Sequence, residues 1–287
     1  MINISELVNL LVCPKHQTDL LFLKNTNEIV CTKCGGGAGS FKVLNSDPVK
    51  IDFNNNFSSG LLTGSSERDS DTRNWSNWRK ENLKFLLSRN INKDSLGLDI
   101  GAGDALFHPF LKLENLVSID FTNYTGINVI CDLNLNIPFA SESFDFILMT
   151  NLLEHLYDVK VIAEANRLLK KGSRLYITVP FLLDVHQKPY DYHRYTYLYL
   201  EKKLSQEGFE LENFSPSGDF GTFQTLVEHY FRFKIDNGSL TAKILWQIQK
   251  ITNVLLKKNV PVHFRNDFTG GYMIQAKKKN KVFALPL

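Results

Sequence analysis

The twelve residues Leu96–Phe107, LGLDIGAGDALF, decide how the rest of the chain is read. An apolar run closes on Asp99 and Ile100, and Gly101 and Gly103 follow one residue apart. A buried strand that turns sharply into a helix beside a nucleotide-like ligand has this pattern. The third glycine of a Gly-x-Gly-x-x-Gly fingerprint is missing, because Leu106 stands there. In dinucleotide-binding folds that glycine lets helix and strand pack closely. No Gly-x-x-x-x-Gly-Lys-Ser/Thr stretch occurs, which excludes a kinase-like P-loop.

Outward from this turn, apolar runs alternate with helical patterns: LGLDI, ENLVSIDF, INVICDL, FDFILMT and SRLYITVPF. Between the last two lies the amphipathic DVKVIAEANRLLKKG, with Gly172 as its stop signal. Strands alternating with helices predict an α/β fold, a parallel sheet covered by helices on both faces. Ligands of such sheets bind beyond the carboxyl ends of the strands. Asp120 ends the second run nineteen residues after Gly101, where an acid accepts from ribose hydroxyls. Asp132 follows the third run, placed to take an exocyclic adenine amine, and Asn151 follows the fourth, with Glu154 and His155 one turn on. Each acid alone could be a helix cap or a turn residue, but three after successive strands argue for a ligand. A dinucleotide would share the glycines and Asp120, yet Leu106 counts against it. S-adenosylmethionine has no pyrophosphate and needs only backbone proximity at the turn.

The phrases LDIGAGDA, SID, CDLNLNIPFASESFDFILMTNLLEHL and NRLLKKGSRLYITVP, in this order over Ser95–Pro180, resemble the class I S-adenosylmethionine-dependent methyltransferases. The resemblance implies a Rossmann-like sheet, mostly parallel with an antiparallel last strand, for which GFELENFSPSG and GGYMIQAKKK supply the final two strands. It implies that Asp99, Gly101 and Gly103, with Ala102, line the methionine part of the cofactor. Asp120, with Phe121, takes the ribose, Asp132 with Leu133 the adenine, and Asn151 completes the set. The family's Pro-Gly-Gly before the fifth strand is Lys171-Gly172-Ser173 here.

After the fifth strand, PFLLDVHQKPYDYHRYTYLYL packs acceptor-type residues close to the cofactor edge. A hydroxyl acceptor gains from a general base near neutral pKa, which suits histidine. His193 is the first candidate, His155 and His186 the others. Asp191 could orient an imidazole, and Arg194 could hold an acceptor phosphate or carboxylate. Tyr190 and Tyr195 complete the substrate-binding set. The competing reading makes this segment a helix start whose aromatics pack and whose Arg194 pairs with an acid. PYDYHRYT resembles a methyltransferase subgroup of bacterial surface-glycan and other small-molecule biosynthesis.

Three of the four cysteines cluster near the N-terminus. Cys13-Pro-Lys-His16 and Cys31-Thr-Lys-Cys34 each carry a two-residue gap, so that both pairs can converge on one tetrahedral ion once DLLFLKNTNEIV forms a hairpin. Thiolate and imidazole together favour zinc. Four protein ligands leave no open position, so the zinc is structural. The competing reading leaves His16 as a loop residue and the site incomplete. LVCP, EIVCTKC and SFKVLNSDPVKID resemble the small zinc-ribbon family that activates tRNA and protein methyltransferases, with Ser46-Asp47 where that family has Asp-Gly. Cys131 reads as a small buried side chain.

The expected domains are a zinc ribbon (1–53), a linker with an aromatic helix (54–90) and a methyltransferase domain (91–280) with a helical insertion at about 219–268. In NWSNWRKENLKFLLSRN, Trp75, Trp78, Leu83, Leu86 and Leu87 recur at helical spacing and predict core packing, with a ligand lid as the alternative. In the insertion, Leu240, Ile244, Ile248, Ile251 and Leu255 share one helical face, with Lys243, Lys250, Lys257 and Lys258 elsewhere. Such a stripe packs on its own domain or on a second subunit, giving a homo-oligomer, or lies on an anionic membrane surface as a peripheral contact. No apolar run of about 18 residues and no signal-type opening occurs, so a cytoplasmic location is expected, with the inner membrane surface as its extension.

The expected activity is methyl transfer to a hydroxyl or amine of a small molecule, a sugar or a lipid-linked glycan precursor. An RNA methyltransferase with a zinc ribbon is the enzymatic rival, and the net charge of only +3 counts against nucleic acid. A non-catalytic partner protein is the other rival, against which the intact Asp99, Asp120 and Asp132 speak.

Overall fold

The computed structural model describes residues 3–34, 39–46, 49–53, 72, 75–217, 231, 233–256, 267 and 269–280. In chain order the N-terminal elements are α1 (Ile4–Leu10), β1 (Leu21–Leu23), β2 (Glu28–Val30), β3 (Ser40–Ser46), β4 (Val49–Asp52) and α2 (Asn77–Leu87). Then come β5 (Gly97–Ile100), α3 (His108–Leu111), β6 (Leu116–Asp120), β7 (Val129–Ile130), β8 (Phe144–Thr150) and α4 (Lys160–Leu168). The last are β9 (Leu169–Pro180), α5 (Tyr197–Gln206), β10 (Phe209–Pro216), α6 (Leu240–Leu256) and β11 (Gly271–Lys278).

Among the described residues, eleven strands join one sheet in the order β1-β2-β3-β4-β7-β6-β5-β8-β9-β11-β10. From β4 to β9 the pairings β4–β7, β7–β6, β6–β5, β5–β8 and β8–β9 are parallel, while β11 runs antiparallel to both β9 and β10. The expected Rossmann-like sheet with a reversed last strand is therefore present. Every residue of β5 is buried and β6 nearly so, as strands covered on both faces require. On α4, Val161, Ile162, Ala165 and Leu168 form the buried face.

Two local expectations are corrected. Gly172 does not stop α4, which ends at Leu168 when Leu169 turns extended. Gly172 lies inside β9 with φ +76, where the one residue of β8 between Phe144 and Phe146 faces the four of β9 between Leu169 and Arg174, and the left-handed conformation absorbs the surplus. The helix expected directly after the glycine turn starts only at His108: α3 is a single turn of four residues.

The cysteine-bearing region adds strands to the same sheet. β4 pairs with β7 through Ile51–Val129 and Asp52–Ile130, and Leu11 bridges to Phe139. Lys50 Nζ donates to Asn123 Oδ1 (2.8 Å) and to the Tyr124 carbonyl (2.7 Å). Leu7, Leu11, Ile29 and Ile51 share one buried cluster with Leu98, Ile119 and Val129. The two expected domains thus share a core.

Trp75, Phe85 and Leu86 are buried against Phe107, Phe146, Leu148 and Met273, with Trp78 and Leu83 partly buried on the same cluster, so the aromatic helix packs on the core, but Leu87, expected to pack with them, is exposed. Of the expected linker 54–74 only Thr72 is described, and the insertion is described at 231, 233–256 and 267. On α6, Leu240, Ile244, Ile248 and Ile251 are exposed while Ala242 is buried. No described helix is long and apolar enough to cross a membrane.

Candidate active site

β5 and β6 end side by side, which brings their acids together. Gly103 N donates to Asp120 Oδ2 at 3.0 Å, and Thr122 N to Asp120 Oδ1 at 2.8 Å. Each carboxylate oxygen keeps a second lone pair for an incoming hydroxyl. Burial pushes this carboxyl up to about 6, the neighbouring Asp99 charge adds to the rise, and the Thr122 and Gly103 amides oppose it. Gly101 (φ +73) and Gly103 (φ +55) are both left-handed. A Cβ at Gly101 would run into Leu152, whereas one at Gly103 would meet nothing within 4 Å. That open space beside Asp120, together with the buried and unpartnered Asp99 Oδ1, fits a polar ligand lying across the turn. Leu106 packs at the edge of the second apolar cluster.

Asp99 has a partner that the sequence reading missed. His108 Nε2 stands 2.8 Å from Asp99 Oδ2. Its position on α3, nine residues on, carried no periodic or motif signal.

The remaining cofactor candidates divide. Asp132 Oδ1 accepts from Asn134 N (2.9 Å) and Nδ2 (3.0 Å), a turn role. The Leu133 side chain is in the core, which leaves its backbone to face a ligand. Asn151 (φ +52) accepts through Oδ1 from Trp78 Nε1 at 2.8 Å and Asn82 Nδ2 at 3.3 Å. The Phe121 ring meets Tyr190 edge-on at 6.2 Å, joining the cofactor side to the acceptor segment.

That segment folds back over the 3-10 turn Leu153–His155. Tyr192 N and His193 N donate to the Glu154 carbonyl (2.8 and 3.3 Å), and Tyr157 stacks on Tyr192. The three candidate bases separate. His155 and His186 come together with rings 5.3 Å apart. His193 Nε2 donates to the Tyr157 carbonyl at 3.1 Å. Burial holds the His155 imidazole below its ordinary value.

Two expectations for this segment are corrected. Arg194 spends all five N–H groups on the chain: Nη1 and Nη2 grip Asp191 (2.5 and 2.7 Å), and the others go to the carbonyls of Leu183, Asp184 and His193. It braces the segment and has no donor left for an acceptor anion. Tyr195 is buried, and its hydroxyl donates to the Leu153 carbonyl at 3.4 Å, so it packs as core. Burial raises the Asp191 carboxyl, but the Arg194 hydrogen bonds, the His186 amide and the two charges overcome it and hold it down to about 2. Glu154, which the sequence placed only by its position after β8, is fully buried and is pushed up to about 8 by that burial.

The N-terminal cluster converges as the spacing predicts. His16 Nδ1 lies 3.8, 3.6 and 3.4 Å from the sulfurs of Cys13, Cys31 and Cys34, and Cys13 Sγ lies 3.6 Å from Cys34 Sγ. A tetrahedral zinc with Zn–S near 2.3 Å and Zn–N near 2.0 Å sets its ligand atoms about 3.6–3.8 Å apart. The donor set and its spacing fit such an ion. The hairpin that brings the pairs together is β1–β2, closed through Asn27 at φ +56.

Residues 98–177 match the family described as "Methyltransferase domain". Two proteins of Methanocaldococcus jannaschii are similar to it. The uncharacterized protein MJ0638 is 32% identical over 110 residues, covering 34% of this chain and 47% of that protein. The uncharacterized protein MJ1123 is 29% identical over 178 residues, covering 60% and 79%. The chain thus spans about half the length of the first and most of the second. Among solved structures, the YcgJ protein of Bacillus subtilis aligns at 15% identity and TM-score 0.44, covering 71% of this chain and all of that one. Haemonchus contortus phosphoethanolamine N-methyltransferase 2, in complex with S-adenosyl-L-methionine, aligns at 18% identity and TM-score 0.45, covering 70% of this chain and 53% of that one.

Proposed function

We propose that the chain is an S-adenosylmethionine-dependent methyltransferase whose acceptor is a hydroxyl or amine of a small molecule, a sugar or a lipid-linked glycan precursor among them. The observation that carries this reading is the buried Asp120 carboxylate at the end of β6, clamped by the Gly103 amide beside an open turn. Bound there, S-adenosylmethionine supplies an electrophilic methyl group on a sulfonium. Asp120 takes the ribose hydroxyls through its remaining lone pairs, and the Gly101–Gly103 backbone admits the methionine part closely. Asp132 and the Leu133 backbone are left for the adenine.

Methyl transfer is an in-line displacement, so holding the acceptor in line does much of the work. Tyr190, packed on Phe121, is placed to do so at the boundary of the two regions. His193, anchored through Nε2, keeps Nδ1 to receive the acceptor's proton. The Cys13, His16, Cys31 and Cys34 cluster holds a structural zinc that stiffens the β1–β4 end of the sheet. Calorimetry with S-adenosylhomocysteine tests the reading. Saturable binding that Asp120→Ala weakens supports it, and no binding to the wild-type chain overturns it. Methylation of a ribosomal or transfer RNA, with affinity that collapses in salt, would move the acceptor to nucleic acid.

A further inference from the structure

Glu154 is fully buried, yet neither of its carboxylate oxygens has a hydrogen-bond partner. Two imidazole nitrogens lie close to Oε1: His155 Nε2 at 3.7 Å and His186 Nε2 at 4.0 Å. Both separations are too long for hydrogen bonds. Each ring already donates from its other nitrogen. His155 Nδ1 donates to the Tyr190 carbonyl at 2.7 Å. His186 Nδ1 donates to the Asp184 carbonyl at 3.1 Å, with Asp191 Oδ2 at 3.3 Å. The other donors nearby are spent: the Tyr192 and His193 amides go to the Glu154 backbone carbonyl and Arg194 goes to Asp191 and three carbonyls. Two imidazole nitrogens therefore face a buried carboxyl that makes no hydrogen bond, the three ligand atoms lying within 4.8 Å of one another.

We propose that Glu154, His155 and His186 form a second metal site, for a divalent transition-metal ion. Bonds of about 2.0–2.2 Å to nitrogen and oxygen put neighbouring ligand atoms roughly 3.0–3.4 Å apart, so the two rings need to close on the carboxylate from 3.7 and 4.0 Å by up to about 1 Å. Two imidazoles and one carboxylate suit zinc, iron, cobalt or manganese and leave coordination positions open. The outer partners of a metal-binding histidine are in place: a carbonyl on His155, and a carbonyl with the Asp191 carboxylate on His186. Exposure grades from Glu154 at 0% through His155 at 11% to His186 at 29%, which gives an entry path on the His186 side. The site sits after β8 and β9, under the acceptor segment. An ion there would bind an acceptor oxygen and ease loss of its proton. That use rests on the proposed methyl transfer; the binding of the ion does not.

Cobalt(II) added to the full chain, with zinc already on the cysteine cluster, is the test. One equivalent binds with weak visible bands and without the intense near-ultraviolet thiolate band that cobalt at the cysteines would give. Proton NMR then shows two strongly shifted, exchangeable imidazole N–H signals, from His155 and His186. Glu154→Gln and His186→Gln each weaken binding by more than about a hundredfold, and Asp191→Asn by about ten- to a hundredfold, the scale of an outer partner. The proposal is overturned by a wild-type chain that takes up no cobalt outside the cysteines, by bound cobalt lacking both shifted signals, or by unchanged affinity in Glu154→Gln. Should a variant fail to fold, the wild-type spectrum decides. Loss of S-adenosylhomocysteine binding with cobalt binding intact would sink the methyltransferase reading alone.

Discussion

The indole Nε1 of Trp78 donates to Oδ1 of Asn151 at 2.8 Å, and this bond fastens α2 across the carboxyl end of β8. Asn151 sits in the left-handed region at φ +52, a conformation that asparagine adopts more easily than most residues. A Cβ at Gly271 would collide with the Trp78 ring, so β11 also shapes the seat of the indole. The edge where a cofactor would lie is therefore set by a helix 73 residues upstream.

Trp78→Phe keeps the ring but removes the donor, and should cost about 1 kcal/mol of stability, the usual net worth of such a bond. Asn151→Ala should cost more, about 2–3 kcal/mol, since it strands the partly buried indole N–H and strains a left-handed residue. Urea unfolding of the two variants checks the order. Equal costs would refute it.

Asp120→Ala should weaken S-adenosylhomocysteine binding by about 1–3 kcal/mol, the worth of hydrogen bonds to a charged group. The pH dependence has a definite sign. The folded carboxyl titrates at about 6 and the unfolded one at 3.8. Between these values the folded chain holds a proton that the unfolded chain has released, so Asp120 adds stability as pH falls through 6 toward 4. Ligand affinity moves the opposite way, because the carboxylate is the better acceptor. Calorimetry from pH 8 to 5 should show the decline in the wild type and a flat profile in Asp120→Asn.

Removing zinc from the cysteine cluster should destabilise more than the first 53 residues. Because β4 is paired with β7 and shares its core, a strong chelator, or Cys31→Ser, should lower the melting temperature of the whole chain in a single transition. Two separated transitions in differential scanning calorimetry would contradict a shared core.

Arg194→Met should loosen the acceptor segment, costing about 3–5 kcal/mol at neutral pH by leaving the buried Asp191 charge unpaired. The Asp191 carboxyl titrates at about 2 folded and 3.8 unfolded. Its contribution is present above 3.8 and lost as pH falls toward 2. The stability gap between Arg194→Met and wild type should therefore narrow below about pH 4, measured by urea unfolding.

The strand periods and turn residues were enough to read β5, β6, β8 and β9, the turn at Gly101–Gly103, and acids at the strand ends. These features are local: burial on both faces needs unbroken apolar runs, and a sharp turn needs glycine. The Cys-x-x-His and Cys-x-x-Cys spacings likewise foretold the four-atom convergence, since a hairpin is the short route between them. Contacts distant in sequence were not legible. Nothing near Val49–Asp52 says that it will pair with Val129–Ile130, so one sheet was read as two domains. Arg194 looked like an anion binder because its type was visible and its five partners were not. Glu154 and His186 stand 32 residues apart with no shared periodicity. Only the packing of the segment after β9 onto the turn after β8 turns the His155 and His186 rings toward one buried carboxyl. Side-chain chemistry is written residue by residue, but which lone pair faces which is decided by the tertiary fold.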